Sequence, residues 1–357
     1  MKKRLVAIVM GCMLAFTAVG CGADKNAETT VESTETSSEE TAEAEADTEA
    51  IAEETSDADD TTSSTDATTD RSGNAITLPE NVENIISMSP STTRILLDLG
   101  LADQIVACDT YSFASYGTEL TEDIPQFDMM TPDQEQIIAL GADIIFTTGM
   151  SASHGTDVFE SVRESGACVA DIPSSASLKD IEDDITFIGT CVGKSAEADA
   201  LVDDMQQKIE ELAEIGSSIP EEEKKTVLFE LFTPSADNPI IYTAGNGTYI
   251  NEMLEIIGAK NVAASETEQW PALSEESAVA ANPDVILTAD MYTPDVINTI
   301  LTMSGWENVN AVKNSEVYQL SSDAVNQPNH HVIDAMIEMA KSIYPDKYEA
   351  VALDDAA

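Results

Sequence analysis

Short apolar runs alternate with amphipathic stretches along most of this chain. "NIISMSP" (84–90), "QIVACD" (104–109), "DIIFTT" (143–148) and "CVADI" (168–172) carry the unbroken β-branched and aliphatic content of buried strands. Between them "STTRILLDLG" (91–100), "DQEQIIALG" (133–141) and "GTDVFESVRESG" (155–166) place apolar residues at helical spacing, with Ser91 near a cap and Gly100 at a stop. The pattern restarts after Lys225 with "TVLFELF", "GTYINEMLEIIG", "NVAAS", "SEESAVAAN", "DVILTA", "VINTILTMSG" and "VYQL". Strand alternating with helix predicts parallel sheets covered on both faces, here in two Rossmann-like α/β lobes. The stretch "SAEADALVDDMQQKIEELAEIG" (195–216) separates them, with Ala198, Leu201, Met205, Ile209 and Leu212 at steps of three and four. That spacing predicts one long linking helix over 195–218, Ser195 at its N-cap and Gly216 at its stop, between lobes at 76–194 and 219–348. A single helical connection is stiff, so little closure of the lobes is expected.

One phrase occurs twice. "EQIIALGADIIFTT" (Glu135–Thr148) is echoed by "ESAVAANPDVILTA" (Glu276–Ala289), with Glu135 and Glu276, Ala139 and Ala280, Asp143 and Asp284, and Ile145 and Ile286 all at one offset of 141 residues. So long a period indicates two similar halves rather than a solenoid.

Composition changes the picture mainly at the N-terminus. Lys2, Lys3 and Arg4 precede the apolar run "LVAIVMGCMLAFTAVG", which ends at Cys21. This reads as a signal peptide over 1–20, too short to span a bilayer. "AVGC" is similar to a lipobox, which makes Cys21 the candidate lipidation site and anchors the chain to the outer face of the cell membrane. Residues 21–75 are mostly Thr, Ser, Ala and acidic residues with almost no large aliphatics, an extended acidic tether. The chain carries a formal net charge of −51, and 50 of its 67 acidic residues lie beyond the tether, which excludes nucleic acid as a partner. Cys12 leaves with the signal. Cys108, Cys168 and Cys191 match no metal spacing and are expected to be packing residues, with one bridge plus a free thiol left open.

The motifs "NIISMSPSTTRILLDLGLADQIVACDTYS", "EQIIALGADIIF", "YTAGNGTYINEMLEIIGAKNV", "WPALSEESAVAANPDVIL" and "QPNHHVIDAMIEMA" arrive in order across about 84–344. Together they resemble the substrate-binding proteins of ABC importers for iron complexes and vitamin B12. The resemblance implies a monomer whose two lobes hold a metal complex (siderophore, haem or corrinoid) in the cleft between them and pass it to a permease dimer with its ATPase. No cofactor is implied. Glu135 and Glu276 then match the family's docking glutamates, one per lobe, which pair with permease arginines; Arg recognises carboxylate with a planar fork. As plain residues, both also favour their helix N-termini. Tyr111, Tyr242 and Trp270 match positions where the family sets rings against the ligand, and Met130, with Met129, is placed at the same mouth. His330 and His331 stand where many relatives have Pro-Arg in a Pro-Gly-Pro-Arg motif. Loss of that arginine weakens the case for an acidic siderophore, and imidazole is able to ligate haem iron or cobalt. Arg94, where the family often has Glu, reads as a surface change.

The main alternative is a surface lipoprotein with an enzymatic or adhesive role on the same fold. Against an enzyme, the sequence shows no Gly-rich phosphate loop at the first strand–helix turn, no nucleophile elbow and no His with a carboxylate at metal spacing. His154, His330 and His331 are too few for a two-lobe zinc binder.

Overall fold

The computed structural model describes residues 68–352 apart from 154, 236 and 237. The expected leader, Cys21 and the acidic stretch through residue 67 lie outside the described residues, as does His154. In the N-terminal lobe five parallel strands, β1 (Ile85–Ser87), β2 (Ile105–Asp109), β3 (Gln126–Phe127), β4 (Ile144–Thr147) and β5 (Cys168–Asp171), lie in the order β3-β2-β1-β4-β5. Six helices accompany them: α1 (Pro90–Asp98), α2 (Thr110–Tyr116), α3 (Gln134–Leu140), α4 (Met150–Ser153), α5 (Glu160–Glu164) and α6 (Leu178–Cys191). The linking helix α7 spans Ser195–Ser217.

The C-terminal lobe has β6 (Thr226–Glu230), β8 (Lys260–Asn261), β10 (Val285–Thr288) and β11 (Val317–Gln319), parallel and in the order β11-β10-β6-β8. This is the order of the first sheet without its β3. A separate antiparallel pair, β7 (Ile240–Tyr242) with β9 (Ala272–Ser274), stands apart from it. Helices α8 (Tyr249–Ile256), α9 (Glu275–Ala281), α10 (Val296–Leu301), α11 (Asn310–Asn314), α12 (Ser322–Asn326) and α13 (Val332–Ile343) complete the lobe.

Alternation of side chains along the strands separates two kinds of core. Ile85, Ile144 and Phe146 on one sheet, and Val227, Phe229, Val285 and Leu287 on the other, belong to a single apolar cluster with α7's Ala198, Met205 and Leu212. The opposite faces are private: Ile86, Met88 and Ile145 pack with Ile137 of α3, and Leu228 and Ile286 pack with Ala278 of α9. Polar ties cross the joint as well. Glu252 of α8 accepts the Leu178 N–H at the start of α6 (2.8 Å), and Tyr348 Oη donates to the carbonyls of Leu212 (3.3 Å) and Ile257 (3.0 Å).

Four expectations shift in detail. Gly216 lies inside α7 rather than ending it: a Cβ there would sit 2.0 Å from the Ile256 carbonyl oxygen, so the glycine permits close approach of the second lobe. Lys194, not Ser195, occupies the N-cap position. The fold begins before residue 76, because Asp70 is buried and its carboxylate accepts N–H groups of Ser72, Asn74 and Asp171 at 2.8–3.0 Å. "NVAAS" contributes only Asn261 to a strand. Cys108, Cys168 and Cys191 are buried free thiols, and burial raises each thiol's pKa.

Candidate ligand cleft and docking faces

Loops at the C-terminal ends of parallel strands are where α/β folds place ligands. Here the loops after β1, β4 and β5 surround a cleft of about 440 Å³, closed on one side by Asn326, Gln327 and Pro328 of the C-terminal lobe. Its wall alternates hydroxyls with apolar groups: Ser89, Ser91, Thr92, Thr148, Ser174 and Ser175 among Pro90, Met129, Met150 and Ile172. Among the described residues no Lys, Arg or His lines it. Asp184 is the one ionisable side chain in the wall among the described residues. Burial pushes its carboxyl up, against the pull of Arg71 Nε at 2.5 Å and the Ser175 hydroxyl at 2.8 Å. The N-cap Ser89 makes no side-chain cap hydrogen bond, and the first turn of α1, Pro90, Ser91 and Thr92, lines the cleft.

Several residues singled out from the sequence lie outside this lining. Tyr111 is the second residue of α2, after β2, and is 54% exposed. Tyr242 is half-buried in β7, and Trp270 is half-buried against the shared core. Met130 sits in a turn whose Asp128 carboxylate takes its N–H at 2.9 Å, while its neighbour Met129 reaches the cleft. His330 and His331 stand at the start of α13, where their Nε2 atoms lie 2.8 and 3.1 Å from Oδ2 of Asp98 at the far end of α1. Hydrogen bonds to Asp334 and Asp98 raise the His331 pKa to about 9, against burial. Burial would raise the Asp98 carboxyl, but His330, His331 and Arg94 outweigh it and hold it well below the usual carboxylate range. Arg94 is more than a surface change: it forks Asp98, binds both Glu119 oxygens at 3.0 Å and lies 5.2 Å over the Tyr116 ring.

The echoed glutamates occupy equivalent places. Each is the second residue of a seven-residue helix, Glu135 after the N-cap Asp133 and Glu276 after the N-cap Ser274, and each cap accepts the N–H two residues beyond its glutamate's predecessor, that of Gln136 or Ser277. Both glutamates are exposed, and neither forms an ion pair or side-chain hydrogen bond among the described residues.

Sequence reasoning missed the equivalent exposed pair Met150, which lines the cleft, and Met291. Carrying the echo two residues further reaches them at the same offset of 141, and they are 39% and 58% exposed after β4 and β10. Next to Met291, Tyr292 is 67% exposed with its ring 6.3 Å from that of Phe232, which follows β6.

Residues 85–324 match the periplasmic binding protein family. The chain belongs to this family. Among its relatives, an ABC transporter substrate-binding lipoprotein of Bacillus subtilis (strain 168) is 31% identical over 278 residues, covering 78% of this chain and 85% of the relative. A cobalamin-binding protein of Halobacterium salinarum is 26% identical, covering 76% and 72%. The crystal structure of a possible iron-binding (periplasmic solute-binding) protein from Staphylococcus epidermidis superposes with a TM-score of 0.64 at 28% identity, covering 74% of this chain and 100% of that one. The two-lobe fold of the family is the one described above.

Proposed function

We propose that this chain is the lipid-anchored receptor of an ABC importer and that its cargo is a bulky metal complex without strong negative charge, a corrinoid before haem or an acidic siderophore. The observation that carries the choice of cargo is the cleft wall. Among the described residues, hydroxyls, amides and apolar groups line it, Asp184 is its only ionisable group, and no cationic side chain is there to neutralise propionate or catecholate oxygens. Membership in a family of binding proteins supports a receptor over an enzyme or an adhesin. Glu135 and Glu276 are the docking groups for the two permease subunits, and Cys21 is the lipid site; Cys21→Ser releases the protein from membranes into the medium. Tyr111, Tyr242, Trp270, Met291 and Tyr292 are candidates for the outer rim that a ligand larger than the cleft floor would touch. The shared core and the cross-lobe ties favour a monomer that closes little on its ligand, with an almost unchanged radius of gyration in solution scattering.

Thermal stabilisation tests the cargo directly, since a ligand that binds only the folded state raises the melting temperature. Cyanocobalamin is expected to stabilise the protein, and haemin and a ferric catecholate to do so less. Stabilisation by haemin alone refutes the corrinoid assignment. One observation favours a second reading, a small oxyanion: the first turn of α1, which has no side-chain cap, lines the cleft. Stabilisation by molybdate or sulfate with none by cyanocobalamin would establish it.

A further inference from the structure

Outside the cleft, three side chains from the two lobes converge on one point. Asp98 ends α1 in the N-terminal lobe, and His330 and His331 precede α13 in the C-terminal lobe. Their ligand-capable atoms lie within 4.8 Å of one another. We propose that Asp98, His330 and His331 bind a divalent transition-metal ion of the zinc class, with water in the fourth position, as a clasp between the lobes.

Four observations support this site. Both Nε2 atoms point at the same oxygen, Oδ2 of Asp98, at 2.8 and 3.1 Å, and Arg94 Nε also approaches that oxygen at 2.8 Å. As a hydrogen-bonded cluster this crowds three donors onto one atom. Ligand atoms that share a tetrahedral zinc at about 2.0–2.1 Å stand roughly 3.3 Å apart, and the two nitrogen–oxygen separations here are within about half an ångström of that. Second, Nδ1 of His331 lies 3.1 Å from Oδ2 of Asp334, the outer carboxylate that fixes a metal-bound imidazole in its tautomer and orientation. Third, His330 Nδ1 is buried with no hydrogen-bond partner among the described residues, so Nε2 makes the ring's one polar contact there. Fourth, the side chains of His330, His331 and Asp98 are 13%, 36% and 23% exposed, within reach of ions from solvent beside a small pocket walled by Asp204, Lys208 and Asp334.

The surrounding charge is compatible with a dication. Asp98, Asp334, Asp204 and Glu119 face Arg94 and Lys208, and Arg94 keeps Oδ1 of Asp98 through Nη2 (2.5 Å) while Oδ2 turns to the metal. The site is separate from the cargo cleft. From Thr92, which lines the cleft, to Asp98 is roughly 9 Å along α1 at 1.5 Å per residue.

The test uses Co(II) and Zn(II) on the full chain with no cargo present. One equivalent of Co(II) is expected to give the visible d–d bands of a four-coordinate site, Zn(II) to displace it and raise the melting temperature, and EDTA to reverse both. His331→Gln and His330→Gln each weaken binding at least tenfold and abolish the bands, and Asp334→Asn weakens binding about tenfold. Should a histidine variant fail to fold, the wild-type response to Zn(II) and EDTA still decides. A melting temperature indifferent to metal, or Co(II) binding of equal strength in His331→Gln, overturns the proposal and leaves a hydrogen-bonded clasp.

Discussion

The first strand of the N-terminal lobe runs out onto Met88, and the equivalent strand of the C-terminal lobe ends on Glu230. The equivalence follows from pairing: Ile85 faces Ile144 as Val227 faces Val285, three residues ahead in each case. Met88 packs with Ile86 and Phe127 in its private core. Glu230 is fully buried, and neither of its carboxylate oxygens has a hydrogen-bond partner among the described residues. Burial first, and Asp290 second, push its carboxyl up to about 8. The lobes therefore share a scaffold but differ in what they keep inside it. Where the echo is tight, the common residues do the same work: the Asp143 carboxylate accepts the Asn84 N–H at 2.8 Å, and the Asp284 carboxylate accepts the Thr226 N–H at 3.0 Å, each pinning the approach to the lobe's first strand. The Gly149 and Asp290 N–H groups both donate to a threonine hydroxyl two residues back at 3.1 Å.

The largest expected effect concerns the feature that the lobes share without using it internally. Glu135→Ala and Glu276→Ala remove exposed carboxylates with no partner, so the melting temperature and cargo affinity should hardly change. Uptake by cells that depend on this importer should fall several-fold for each single variant and more than tenfold for the double. Added salt should weaken the wild-type complex with the permease over a screening length of about 8–10 Å. Normal uptake by the double variant would make both glutamates simple helix-start residues.

Next is the joint. If the shared core makes the lobes one cooperative unit, Gly216→Ala should lower stability by about 3 kcal/mol in a single transition, because its Cβ would collide with the backbone of 256–258. Two separate transitions in calorimetry would show that the lobes unfold independently.

Much of this was legible beforehand. Buried parallel strands are near-continuous apolar runs, and seven of them, with the linking helix and the echo, follow from pattern alone. The helix α6 was missed, although Ser177 and Asp180 form a capping box that its sequence spells out. The cleft was harder, because its walls are short loops of Ser, Thr, Pro and Met that carry no periodicity. The placement of His330 and His331 beside Asp98 rests on a contact across 232 and 233 residues, and nothing local in "PNHH" signals it.

A pH series on the Met88/Glu230 pair comes third. Between pH 4.5 and about 8 the folded protein keeps the Glu230 proton and the unfolded chain does not, so unfolding releases a proton and stability falls as pH rises, by up to about 1.4 kcal/mol per unit. Below 4.5 both states hold the proton, and above about 8 neither does. Glu230→Met, which copies the other lobe at similar volume, lacks this slope. It should match the wild type most closely near pH 4 and exceed it by a few kcal/mol at pH 8, as read by urea denaturation. Parallel stability curves for the two proteins would show that Glu230 finds a partner in solution.

The smallest effect distinguishes the two helix ends. Gly141 closes α3 at φ 61°, and Asn282 closes α9 at φ 48°, both left-handed. Glycine adopts this region without strain and Asn at modest strain, so backbone preference alone favours Gly at both positions. Asn282, however, also accepts the Asn310 N–H on its Oδ1 at 2.9 Å, tying α9 to the start of α11, and Gly141 has no side chain to do the same. In Asn282→Gly the relief of strain and the lost bond oppose each other, and the change should stay within about 0.5 kcal/mol. In Gly141→Asn only the strain appears, and the loss should be about 0.5–1 kcal/mol. Equal and opposite changes in the two denaturation midpoints would mean that the Asn310 contact contributes nothing, and that the caps are interchangeable after all.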